Sequence, residues 1–161
     1  MSAFSIRPIE DGDRPGILEL IRGRWHDAIV VAHGVVFEPA SLPGFLAVSD
    51  AGTVIGLVTY TVDVDVCELV TIDAMVEGHG VGRALVNAVV DAARQAGCHR
   101  LELVTTNDND HALGFYRRLG FVVVEVREDA LTESRRLKPS IPLANEAGVP
   151  IRDEIVLALS L

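Results

Sequence analysis

Three glycines alternate in the stretch Glu77-Gly78-His79-Gly80-Val81-Gly82, between an apolar run and a segment of helical periodicity. Without Cβ atoms, alternate glycines let the backbone turn tightly and approach a ligand closely. The unpaired N–H groups at the start of the next helix, aided by its dipole, then attract an anion. Phosphate binding is the chemistry this arrangement suggests; a plain strand-to-helix turn is the structural alternative. Two phosphate motifs do not fit. No GxxxxGK[ST] string occurs, and the dinucleotide fingerprint GxGxxG would need a glycine where Arg83 stands.

The flanking elements must place that loop. Val66–Met75 reads as a strand entering it. From Val81 to Ala96, Leu85, Val86, Val89, Val90 and Ala93 form an apolar face that ends at Gly97, as in an amphipathic helix. Arg100–Thr105 is the next strand, so the strand–helix–strand unit predicts a parallel pair. Asn109 can cap a helix over Asp110–Leu119, stopped by Gly120, and Phe121–Val126 is again a strand. Upstream, Phe4–Ile9 alternates as a first strand, Asp13 is placed to cap a helix running toward Arg24, and Phe45–Ser49 with Thr53–Val62 forms a hairpin about Asp50-Ala51-Gly52. Glu154–Leu161 is the final strand. Trp25–Gly44 and Glu128–Arg152 show little periodicity; a loop as long as the second is functional or contains an unrecognised element.

The chain has 161 residues, 49% of them apolar, which suits one domain over residues 1–161 with a sizeable core and excludes disorder as the main state. Its formal net charge of −9 argues against nucleic acid as a partner, because phosphate neutralisation needs a basic face. Ala28–Ala32, as long as any unbroken apolar run in the chain, is far too short to span a membrane, and MSAFSIRPIE lacks a signal-peptide pattern. A cytoplasmic protein is therefore expected. Cys67 and Cys98 sit in no CxxC or Cys/His pattern, so buried thiols are expected, with neither a disulfide nor a metal site.

Gly80-Val81-Gly82-Arg83-Ala84-Leu85, followed after a strand by Asn109-Asp110-His111-Ala112-Leu113-Gly114-Phe115-Tyr116-Arg117-Arg118-Leu119-Gly120-Phe121, resembles the acetyl-CoA-binding core of the GNAT superfamily of N-acetyltransferases. The recognisable motifs cover about Glu68–Phe121, and the element order matches the family's fold over nearly the whole chain. One departure stands out: the family's usual Arg or Gln before the glycines is Glu77 here. The resemblance implies a single α/β (α+β) domain with a mixed, mainly antiparallel twisted sheet of about 6–7 strands and about 4 flanking helices.

The resemblance also implies direct attack of a substrate amine on the acetyl thioester of acetyl-CoA, with no metal. Pantetheine would run along the strand edge Ile72-Asp73-Ala74, and the pyrophosphate would sit on the amides of Gly78, His79, Gly80, Val81, Gly82, Arg83 and Ala84, with the Arg83 side chain adding charge. Asn109 would contact the cofactor or only cap its helix; Asn107 competes with it. An alkylammonium has a pKa of about 10.4, so a base must take its proton; Glu68 and Glu102, acids in otherwise apolar strands, are the candidates beside a water relay. A main-chain N–H near Ile72–Ala74 would stabilise the oxyanion. Tyr116 resembles the family's general acid for the departing thiolate, its structural alternative being a core aromatic.

The resemblance implies a small-molecule or protein amine as acceptor, with Trp25, His26, His33 and Phe37 as candidate lining. Arg135-Arg136-Leu137-Lys138 is either a solvated face or a site for the cofactor's 3′-phosphate or an acidic substrate. By resemblance alone a homodimer is implied. The competing functions are an acyl-CoA-binding or regulatory module without turnover and a plain interaction domain.

Overall fold

The computed structural model describes residues 3–25 and 27–161. Strand β1 (Phe4–Pro8) leads through a 3-10 turn, Asp11–Asp13, into α1 (Arg14–Trp25). Asp13 does not cap α1 as expected from sequence. Its carboxylate instead receives both terminal nitrogens of Arg7, at 2.7 and 2.8 Å, and the Glu10 N–H at 2.8 Å. The Arg7 guanidinium and the Glu10 N–H hold that carboxyl well below its usual range, at about 2.

The segment that showed little periodicity after Trp25 contains a small hairpin, β2 (Val30–Ala32) and β3 (Val35–Phe37). Strands β4 (Gly44–Ser49), β5 (Val54–Asp63) and β6 (Val66–Ala74) follow as the expected antiparallel meander. Then come α2 (Val81–Gln95), β7 (Arg100–Thr106), α3 (Asp110–Arg118), β8 (Val122–Arg127), α4 (Ala130–Leu137) and β9 (Glu154–Ser160). The long segment before the last strand thus holds α4 and an isolated bridge, Ala144 to Pro150.

Seven strands form one sheet in the order β1-β4-β5-β6-β7-β9-β8, antiparallel except for β6 with β7. The last strand in sequence inserts between β7 and β8. Its composition explains this: Ile155, Val156, Leu157 and Ala158 are all buried, so successive residues face the core on both sides, as a central strand requires.

One face of the sheet carries Val58, Cys67, Leu69, Leu101, Leu103 and Leu157 against Leu85, Val86, Val89 and Ala93 of α2 and against Tyr116 and Phe121. Each fully buried Val or Leu contributes about 1.5–3 kcal/mol relative to exposure. Gly56 lets α2 approach β5, since a Cβ there would stand 2.7 Å from Val81 Cγ1 and 3.0 Å from Leu85 Cδ1. On the opposite face, Leu46 and Leu57 pack against Ile17 and Ile21 of α1. Cys67 and Cys98 are both buried and unpaired, as expected.

Candidate active site

Parallel pairing of β6 with β7 runs only from Val66↔Arg100 to Leu69↔Leu103, after which β6 stays on β5 and β7 stays on β9. At the parting point, the β5–β6 register shifts by one residue between Tyr60↔Leu69 and Thr59↔Thr71, leaving Val70 as a bulge. The bulge exchanges the faces of β6: Cys67 and Leu69 pack toward α2 before it, Ile72 and Ala74 after it. Glu68 and Asp73 consequently face the α1 side, where Arg24 bonds Asp73 through both Nε and a terminal nitrogen, the latter at 2.9 Å. Met75 N–H donates to Ile55 C=O at 2.9 Å. Antiparallel alternation then turns the Asp73 main chain toward β5 and the N–H and C=O groups of Ile72 and Ala74 toward the gap.

A cavity of about 610 Å³ opens between this strand edge, the glycine loop and α3. Of the expected cofactor residues, Ile72, Asp73, Ala74, Gly78, Gly80, Val81, Gly82, Arg83 and Asn109 line it, whereas His79 and Ala84 do not. Gly78 and Gly80 both have φ +76°, the left-handed region that glycine enters freely. Gly80 precedes the first turn of α2 with no side-chain cap, so the Val81, Gly82 and Arg83 N–H groups have no acceptor among the described residues, whereas Ala84 N–H already donates to Gly80 C=O at 3.0 Å. A Cβ on Gly82 would lie 3.1 Å from the Phe115 ring, so glycine also keeps the floor open. Free amides, a helix dipole and Arg83 fit a pyrophosphate. Glu77 lines the same cavity and opposes them in charge. Sequence reasoning missed His111 and Arg118, which line the cavity at helical spacing from Phe115; that spacing was the available signal.

Asn109 caps α3, its Oδ1 accepting from Ala112 N–H at 3.2 Å, while remaining in the cavity wall. Asn107 points elsewhere: its side chain bonds Pro150 C=O and accepts from the Arg152 and Asp153 N–H groups. Tyr116 is 6% exposed, lies edge-on to Phe115 and Phe121, and lines the cavity. Its hydroxyl makes no hydrogen bond with a described residue, and burial pushes the phenol well above its usual range, so it holds its proton.

A second, smaller cavity of about 70 Å³ lies at the mouth of the same gap, bounded by Leu69 and Val70 of β6, Val104–Thr106 of β7, the β2 strand and Leu131 of α4. Two carboxylates enter it, Glu68 and Glu154. Glu68 bonds His33 Nε2 through both oxygens, at 2.8 and 2.9 Å. Glu154 is 3% exposed, accepts the His33 main-chain N–H at 3.0 Å and lies 3.5 Å from an Arg127 nitrogen. Nothing in the local pattern of a terminal strand marked Glu154; only its insertion beside β7 brings it here. Glu102, the other acid expected as a base, is outside both cavities and 2.9 Å from Arg100 Nε, in a contact too bent for a hydrogen bond.

The remaining expected pocket residues separate. Trp25 packs with α1 against the Leu46–Leu57 face, and Phe37 stands edge-on to His33 at 5.8 Å. His26 lies outside the described residues. The basic run on α4 is not an open patch: Arg135 bonds the carbonyls of Ile141, Pro142 and Ile151, Lys138 bonds Ile29 C=O, and Arg136 pairs with Glu133. Arg135 and Lys138 therefore tie irregular backbone to α4. No cluster of three potential metal ligands occurs among the described residues, and no described helix is long and apolar enough to cross a membrane.

Known proteins share this frame. The chain is 43% identical over 123 residues to the uncharacterised protein YdhI of Bacillus subtilis, covering 76% of this chain and 77% of that one. An IAA acetyltransferase from Bacillus cereus has the same fold, with TM-score 0.74 at 22% identity over 99% of this chain and all of that one. A GNAT acetyltransferase from Elizabethkingia anophelis, solved with acetyl-CoA bound, superposes with TM-score 0.72 at 20% identity over 98% of both chains. The acetyltransferase (GNAT) family model matches residues 14–121. The chain belongs to that family.

Proposed function

We propose that this protein transfers the acetyl group of acetyl-CoA to a primary amine, by direct attack of the amine in a ternary complex. The observation that carries the reading is the parting of β6 from β7 after Leu69 and Leu103, with the 610 Å³ cavity on one side and the carboxylate-bearing cavity on the other. A donor held in the first can present its acetyl group at the gap to an amine held in the second. The donor supplies an activated thioester; the chain supplies position, charge and proton transfer.

The amides of the glycine loop and of the first turn of α2, with Arg83, hold the pyrophosphate. Main-chain groups of Ile72 and Ala74 hold the pantetheine arm, and an N–H among them accepts charge developing on the thioester oxygen. Asp73 contributes mainly by fixing the strand to α1 through Arg24. Glu68 takes the amine proton, being the one of the two acids expected as a base that borders the acceptor cavity. Tyr116, kept protonated by burial, gives a proton or hydrogen bond to the departing thiolate.

Calorimetric titration with acetyl-CoA tests the donor half of this reading. Wild type is expected to bind, and Gly80→Val to lose most of that binding, because φ +76° is strained for a β-branched residue. Undiminished binding by the variant removes the glycine loop from the donor site.

A further inference from the structure

His33 is held in a left-handed backbone conformation that non-glycine residues adopt uncommonly. It opens the two-residue turn between β2 and β3, with φ +43° at His33 and +77° at Gly34. Such a turn wants asparagine, aspartate or glycine at its first position. A left-handed non-glycine residue persists where surroundings over-determine it, and such residues cluster at functional sites. Here the surroundings are the site itself. The His33 main-chain N–H donates to buried Glu154 on β9, its Nε2 meets both oxygens of Glu68 on β6, and its ring stands edge-on to Phe37.

Resting on the reading of Glu68 as the base, we infer that His33 is the positioning residue for Glu68: its Nε2–H fixes the carboxylate at the mouth of the acceptor cavity. Free rotation of an unheld glutamate would spread its oxygens over several rotamers, and small misplacements of a reacting group cost large factors in rate. The other charged groups packed around Glu68 do not perform this task. Glu102 sits across from it on β7 with Arg100, Glu154 is occupied by Arg127 and the His33 N–H, and Lys138, just past the end of α4, bonds Ile29 C=O at the base of the hairpin. The hairpin thus sits where its turn can do one thing that a better turn residue could not, namely reach Glu68 with a ring nitrogen.

The discriminating variants are His33→Asn and His33→Gln. Asparagine suits the left-handed turn and keeps the main-chain bond to Glu154, but its side chain is too short to reach Glu68; glutamine carries an N–H to about the position of Nε2. With acetyl-CoA and n-butylamine, cadaverine or Nα-acetyl-lysine methylamide, whichever turns over best, H33N is expected to keep or raise Tm, leave KM for acetyl-CoA unchanged and lower kcat about ten- to a hundredfold. H33Q should recover most of that loss. In an E68Q background H33N should cost nothing further, whereas loosening of the hairpin would cost activity in both backgrounds. Independently of turnover, NMR of the donor-free chain should show a protected imidazole Nε2–H resonance that disappears in Glu68→Ala, which leaves that N–H no side-chain acceptor. Wild-type kcat in H33N, or a further loss in the E68Q background, overturns the inference and leaves Glu68 as base intact. Wild-type kcat in E68Q overturns both.

Discussion

Glu68 and Glu102 occupy the same register position on the parallel strands β6 and β7, yet of the two only Glu68 borders the cavity at the mouth of the gap. The strands part just beyond them, and the smaller cavity opens in the gap beside β2, where Glu68 borders it while Glu102 stays beside Arg100. Two acids equivalent in sequence pattern are thereby made unequal by which of them meets the gap. Glu68→Gln is expected to lower kcat about 10²–10⁴-fold, the usual range for loss of a general base. Glu102→Gln should stay within about threefold. Steady-state kinetics on the two variants checks this, and equal losses would return the choice between them.

Tyr116→Phe removes a buried hydroxyl and leaves the aromatic packing with Phe115 and Phe121 in place. We expect kcat to fall about tenfold or more with acetyl-CoA affinity unchanged. The sign of the shift sets the pH behaviour. Burial raises the phenol above its ordinary value of about 10, so its protonated form persists through pH 10 and it contributes no alkaline limb below that. Unchanged turnover in the variant removes the acid role.

Gly56→Val should destabilise the fold by about 1–3 kcal/mol, since its side chain would meet Val81 and Leu85 where α2 presses on β5. Thermal unfolding measures this. A variant with wild-type Tm would show that α2 can move off the sheet at no cost.

Asp13 contributes stability above its unfolded pKa, and that contribution fades as pH falls from about 4 through the folded value of about 2. Asp13→Asn is expected to lower Tm at pH 7 and to make the Tm difference from wild type shrink toward pH 2. A constant difference across that range would mean that the bond to Arg7 stabilises nothing.

Cys67 is fully buried, and burial, with lesser contributions from Cys98 and Glu68, pushes its thiol up to about 12. It should resist iodoacetamide at pH 8 in the native chain and react after denaturation, as peptide mass spectrometry would record.

The legible part of this protein was the part written in short-range pattern. The apolar face of α2, the glycines at its start, the capping Asn109 and the Gly97 and Gly120 stops each leave a local mark, and together with the Tyr116 segment they carried the family resemblance. The region around the β2–β3 hairpin left none. Strands β2 and β3 span three residues each, too short for a period to show, and α4 begins at Asp129 with φ +56° and no side-chain cap. Glu154 and Glu68 lie far apart in sequence and meet at one cavity only because β9 returns to the middle of the sheet. Arg135 and Lys138 read as a basic patch because sequence shows charge but not the carbonyls that charge will satisfy.

Thiol release from acetyl-CoA, followed across a panel of primary amines, tests the central claim most directly. Release that depends on the amine, saturates with it and yields the acetylated amine by mass spectrometry is the expected result. Tight acetyl-CoA binding with no amine-dependent release across the panel would contradict it, and would favour a module that holds the donor without turning it over.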